Sequence, residues 1–76
     1  MSYVEALIQR NLKHVRDRDY SIEYLRKAYA QREGKYREKV AGGTYTGAIR
    51  DLYADKEAYR IALEEKTYAM ERGDVY

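Results

Sequence analysis

The chain contains no cysteine, no proline, no phenylalanine and no tryptophan, and each absence closes off something. Without cysteine there is neither a disulfide nor a thiolate metal site to staple the fold, and nothing points to an oxidising compartment. Without proline, no residue lacks the N–H that a helix interior needs. A charge excess of one sign is missing too: 15 Lys and Arg stand against 13 Asp and Glu, leaving +2, with both signs interspersed as on an ordinary solvated surface. No apolar run exceeds three residues, as at Ala6-Leu7-Ile8, far short of the ~20 that a membrane span needs. The sequence therefore reads as cytoplasmic, in a cell or an infected host, with no signal peptide or anchor.

What remains is a helix-forming composition. Ala, Leu, Glu, Lys, Arg and Gln fill more than half of the 76 positions, which favours α-helix and offers little to a sheet. A chain this short removes only roughly 60% of its unfolded surface from water on folding. Tight helix packing or self-association must supply the missing stability. All ten aromatic residues are Tyr, and because a buried hydroxyl needs a partner, many of these rings belong at boundaries.

Ser2 followed three residues later by Glu5 is a capping box that starts the first helix. Val4, Ile8, Leu12 and Val15 then recur at helical spacing, while Glu5, Gln9, Lys13 and Arg16 point elsewhere. Around Arg16-Asp17-Arg18-Asp19 the apolar pattern lapses. Ser21 can cap a new helix there, with Tyr20 and Leu25 in the two positions of a hydrophobic staple. Against a break, Ile8, Val15, Ile22, Tyr29 and Tyr36 recur every seven residues, as along one long helix or a coiled-coil seam. Both readings stay open.

Gly34 is unfavourable by roughly 1 kcal/mol against Ala if it lies inside a helix. The Gly-rich stretch near residues 41–47 is the clear connector. Gly42 and Gly43 can take left-handed angles, and Thr44 or Thr46 can cap the next helix. A rival reading makes Tyr36 to Thr46 a β-hairpin turning at Gly42-Gly43. The last helix runs from about Gly47 to Arg72, with Gly73 as its C-terminal stop, giving one helical domain over residues 1–73 and a frayed tail over 74–76.

That last helix carries two apolar lines. Ile49, Leu52, Tyr59, Leu63 and Met70 form one, and Ala54, Ala58, Ile61 and Tyr68 form another roughly opposite. A helix apolar on two sides needs neighbours on two sides. The fold expected is all-α: an antiparallel helical hairpin, completed by dimerisation, or a three-helix bundle in which the first two helices each take one side.

Chemistry is harder to find. His14 is the sole histidine and lies among Lys13, Arg16 and Arg18, which disfavour a bound cation and an imidazolium alike. Ser2 and Ser21 are explained as caps, Thr67 as a helix-surface residue. The carboxylates of Asp51, Asp55, Glu64 and Glu65 lie within helical reach of Lys or Arg and read as surface ion pairs. Gly42, Gly43 and Gly47 lack the Gly-Lys-Ser/Thr of a phosphate-binding loop. No catalytic, cofactor or metal site is expected.

Two binding readings survive. The first is a non-enzymatic protein–protein interaction module, homodimeric, acting as a small regulator, inhibitor or assembly factor of the economical kind that phages and mobile elements use. Its candidate contact residues are Tyr24, Tyr53, Ile61 and Tyr68, since Tyr offers large area, few rotors and a polar tip. The second is nucleic-acid binding through Arg10, Lys13, Arg16 and Arg18 with Tyr20 and Tyr24, the cations meeting phosphates and the rings stacking on bases. Asp17, Asp19 and Glu23 interleave with that cluster and count against it.

Overall fold

Asp19 decides the architecture. In the computed structural model, which describes residues 2–43 and 47–71, Asp19 adopts left-handed angles (φ 48°, ψ 52°) and its N–H bonds back to the Arg16 carbonyl. Asp is one of the few non-Gly types that tolerates this conformation. The chain therefore turns rather than running on, and the seven-residue recurrence through Ile22 spans two helices. Three helices result: α1 (Tyr3–Arg18), α2 (Ile22–Ala41) and α3 (Gly47–Glu71). The described residues contain no strand, so Tyr36 to Ala41 continues α2 instead of forming a hairpin.

Local chemistry sets the ends. The Ser2 hydroxyl accepts from the Glu5 N–H at 3.1 Å, and the Ser21 hydroxyl accepts from the Tyr24 N–H at 3.2 Å. Each cap contributes about 1 kcal/mol. The staple forms as well, because Tyr20 packs on the core cluster that contains Leu25. At the other end of α2, Gly43 takes the left-handed conformation (φ 73°), whereas Gly42 stays right-handed and donates to the Glu38 carbonyl. The expected caps at Thr44 and Thr46, the helix stop at Arg72 and Gly73, and the tail over 74–76 lie outside the described residues.

Helix α3 is the spine. Tyr3 of α1 lies against Arg50 and Arg16 against Glu65, so α1 runs parallel to α3. Helix α2 runs antiparallel, with Asp19 and Tyr20 just before it beside Lys66, Arg32 beside Asp55 and Tyr36 beside Tyr53. The two outer helices pack on α3 and share no Cα pair within 8 Å of each other. This is the bundle alternative of the two architectures, and its extents are 45 × 26 × 18 Å.

The core explains why α3 can serve two neighbours. Ala54, Ala58 and Ala62 are buried at four-residue spacing, and their short side chains let both outer helices approach. Ala58 and Ala62 join Leu12 and Val15 of α1, Leu25 and Ala28 of α2, and Tyr59 in one cluster. Among the described residues Leu12 is the only large side chain that is fully buried. In α1 the buried residues are Leu7, Leu12 and Val15, with Val4 and Ile8 at the margin, so the apolar face is rotated toward Leu7 from the line through Ile8.

Both apolar lines on α3 fade at its C-terminal end. Ile49, Tyr59, Ala54 and Ala58 are buried, Leu52, Ile61 and Leu63 are half-buried, and Tyr68 and Met70 are 60% and 55% exposed. The cause is length. The turn between α1 and α2 sits level with Glu65 and Lys66, so α3 continues past it and its last turn is covered only in part, with Arg26 of α2 beside Tyr68 and Glu71. Met70 and Tyr68 thus belong to an overhang and not to the core.

Candidate interaction surfaces

The sequence-expected contact residues do not assemble into one patch. Tyr53 is half-buried against α2, its ring 5.6 Å from that of Tyr36, and Lys56 Nζ lies 4.9 Å and 5.2 Å from the centroids of Tyr53 and Tyr36. Ile61 packs on the core cluster. Tyr68 lies two turns beyond it on the overhang, and Tyr24 sits near the start of α2, 44% exposed. Of the four, Tyr24 and Tyr68 present most surface.

The overhang of α3 and the first turns of α2 enclose an open, mainly apolar groove of about 680 Å³, lined by Leu63, Thr67, Tyr68, Arg26 and the carboxylates Glu64 and Glu71. Leu63 and Thr67 share a helical face with Met70 by their spacing. Periodicity marked Leu63 and Met70 as apolar but could not say that Leu63 packs on the core cluster while Met70 stays exposed. Arg26 stands out only once the two helices are brought together.

At the corner between α1 and α2, Lys66 acts as a clamp. Its ammonium donates to Asp19 Oδ1 at 2.7 Å and to the Tyr20 carbonyl at 2.5 Å. The bond to Asp19 holds that carboxyl below its ordinary pKa. Beside it, Arg16 pairs with Glu65, whose hydrogen bond raises the guanidinium's pKa. Arg16 is therefore engaged within the fold, whereas Arg10, Lys13 and Arg18 are exposed and make no ion pair among the described residues.

Tyr20 and Tyr24 do come together. Their rings stack with centroids 4.1 Å apart and planes 26° apart, and Tyr20 in turn stands 6.4 Å from Tyr59, inclined by 22°. Arg32 closes the row, its Cζ 4.1 Å over the Tyr59 ring. The guanidinium is itself fixed by Asp55 Oδ2 at 2.9 Å and by the Ala28 carbonyl at 3.2 Å. Burial raises the Tyr59 hydroxyl above its ordinary pKa. A signal for Arg32 existed in the sequence: it continues the α2 seam of Ile22, Leu25, Tyr29 and Tyr36, where a basic residue is out of place unless something receives it.

The far side of the α2–α3 contact is polar. Glu57 takes hydrogen bonds from Lys56 and Arg60, and Arg60 also reaches Glu64. Burial alone would raise the Glu57 carboxyl, but the bonds from Arg60 and Lys56 outweigh it and leave its pKa lowered. Tyr29 donates to Glu33, which raises the phenol and lowers the carboxyl. No buried side-chain N or O among the described residues lacks a partner. These charges are engaged in contacts within α3 and within α2, and among the described residues no three His, Cys, Asp or Glu side chains converge as metal ligands.

No described helix is long and apolar enough to cross a membrane. The chain matches no family model, no curated protein and no solved structure.

Proposed function

We propose that the chain is a non-enzymatic helical interaction module that works by occupying the surface of another protein, and that its first partner is a second copy of itself. The observation that carries this reading is the α3 overhang, where Tyr68 and Met70 stand mostly exposed beside the groove floored by Leu63. Exposed large apolar groups beside an open apolar groove mark a contact surface rather than a core.

The surface area argues for a second copy. A 9.0 kDa chain packed like an ordinary monomer exposes ~4,850 Å², whereas this one exposes 5617 Å². The radius of gyration agrees, at 13.5 Å against the ~11.4 Å of a compact domain of this length. With ten buried apolar residues among those described, of which four are Ala, association supplies burial that the monomer lacks. Tyr suits the role because its ring contributes area at little rotamer cost. A protein of this size with no evident chemistry fits a regulator, inhibitor or assembly factor.

Sedimentation equilibrium over a wide concentration range tests the reading. The expected result is a rise in mass from 9.0 kDa toward twice that value, abolished in the double variant Tyr68→Asp, Met70→Asp with helicity retained. A wild-type chain that stays monomeric at the highest concentration, or a double variant that associates unchanged, refutes it.

A further inference from the structure

The row formed by Tyr24, Tyr20, Tyr59 and Arg32 has a closed end and an open end. The inner end is fixed, because Arg32 lies over Tyr59 while bonded to Asp55 and to the Ala28 carbonyl. The outer plate is Tyr24, one face of which is covered by Tyr20 at 4.1 Å. Tyr24 is nevertheless 44% exposed, so its opposite face and rim meet water. A ring already held by stacking has little freedom left to lose when another planar group settles on it.

The fold sorts the charges near this plate into engaged and free. Asp19 is occupied by Lys66, and Arg16 by Glu65. Between residues 10 and 27 the side chains without an ion pair among the described residues are Arg10, Lys13, Arg18, Arg26 and Lys27 on the basic side, and Asp17 and Glu23 on the acidic side. Along this stretch of sequence five such cations stand against two such carboxylates, while Glu64 and Glu71 of α3 share a groove with Arg26. Lys27 lies one helical turn from Tyr24, close enough to meet a phosphate adjoining a base stacked on the ring.

We infer that the corner between α1 and α2 binds single-stranded nucleic acid, with one base stacked on the free face of Tyr24 and the flanking phosphates neutralised by Arg18, Arg26 and Lys27. A single strand fits better than a duplex because a stacking plate needs an unpaired base. Arg26 also lines the groove at the α3 overhang, whereas Tyr24, Arg18 and Lys27 do not, so Tyr24→Ala tests the inference without touching the residues on which the proposed self-association rests.

Fluorescence anisotropy with a labelled oligothymidylate, and with an abasic sugar-phosphate strand of the same length, tests it. Wild-type protein should bind the oligothymidylate at ~50 mM salt and lose about 20-fold in affinity at ~200 mM, the slope for three phosphates neutralised on a single strand. Tyr24→Ala should weaken that binding about 5- to 150-fold, the worth of one base–aromatic stack, while Tyr24→Phe keeps it. The abasic strand should bind wild type and Tyr24→Ala equally. Helicity and melting temperature of both variants check that the fold is intact. Absence of binding at low salt overturns the inference, as does a Tyr24→Ala loss that is equal for both strands or missing for both.

Discussion

Gly34 lies well inside α2, and an ideal Cβ built on it meets nothing within 4 Å. Its backbone angles are not left-handed, so neither conformation nor crowding calls for glycine there. Replacing it with alanine should remove the conformational entropy that glycine loses on folding without introducing any clash, a gain of about 0.8–1.0 kcal/mol. For 76 residues the unfolding entropy is about 160 cal/mol/K, so the gain corresponds to a rise of roughly 5–6 °C in Tm. Circular dichroism melts at fixed protein concentration, with urea titrations for the free energy, measure it directly. Gly43→Ala is the matched control. Its φ of 73° is strained for any residue with a Cβ, and the same substitution there should destabilise by about 1 kcal/mol or more. A Gly34→Ala protein that melts at or below the wild-type temperature would refute the reasoning, because something other than the isolated helix would then be using that bare position.

Further outcomes follow from the packing. Leu12→Ala removes a large, fully buried side chain and should cost about 3–5 kcal/mol, a large share of the roughly 4–11 kcal/mol expected for a chain of this length. A urea midpoint that barely moves would contradict the assigned core. Ile61→Asp places a charge where the side chain packs on the core cluster and should destabilise by about 1–3 kcal/mol, read as a lower Tm even at the lowest protein concentration. An unchanged melt there would mean that Ile61 matters only to association. Asp19, Glu33 and Glu57 are held below their ordinary pKa values, so the folded state binds fewer protons than the unfolded chain near ~4. Their stabilisation is complete above that range and is lost as pH falls through the folded values. Tyr29 and Tyr59 are raised, so stability should also decline as pH climbs past ~10. Stability flat across either edge would argue against the corresponding contacts.

Much of this fold was legible in the residues. Ser2 and Ser21 announce helix starts, Gly43 marks a chain reversal, and the apolar positions on both sides of the last helix call for two neighbours. Whether the chain broke near Asp19 was not decidable from periodicity, because the seven-residue spacing survives the turn by coincidence of its length. The tie was settled by a left-handed residue and by Lys66 reaching across from α3, a contact 47 residues away in sequence that no local pattern encodes. Tyr68 and Met70 misled for a related reason: spacing reports which face is apolar, not where the neighbouring helix ends. Tyr24 and Tyr20 were legible as candidates, but their stacking and the role of Arg32 beneath them required the fold. Tyr53 was read as a candidate contact residue because its use against Tyr36 and Lys56 depends on the antiparallel course of α2.

The separation of α1 from α2 has one more consequence. Because each packs along α3 and their backbones stay apart beyond the turn that joins them, a disturbance of one reaches the other through that turn or through the spine. Ala58 and Ala62 are where the two grips meet. A ligand drawn to the α1–α2 corner and a protein seated on the α3 overhang would therefore sense one another chiefly at Glu65 and Lys66, the two adjacent residues through which the spine holds the corner in place.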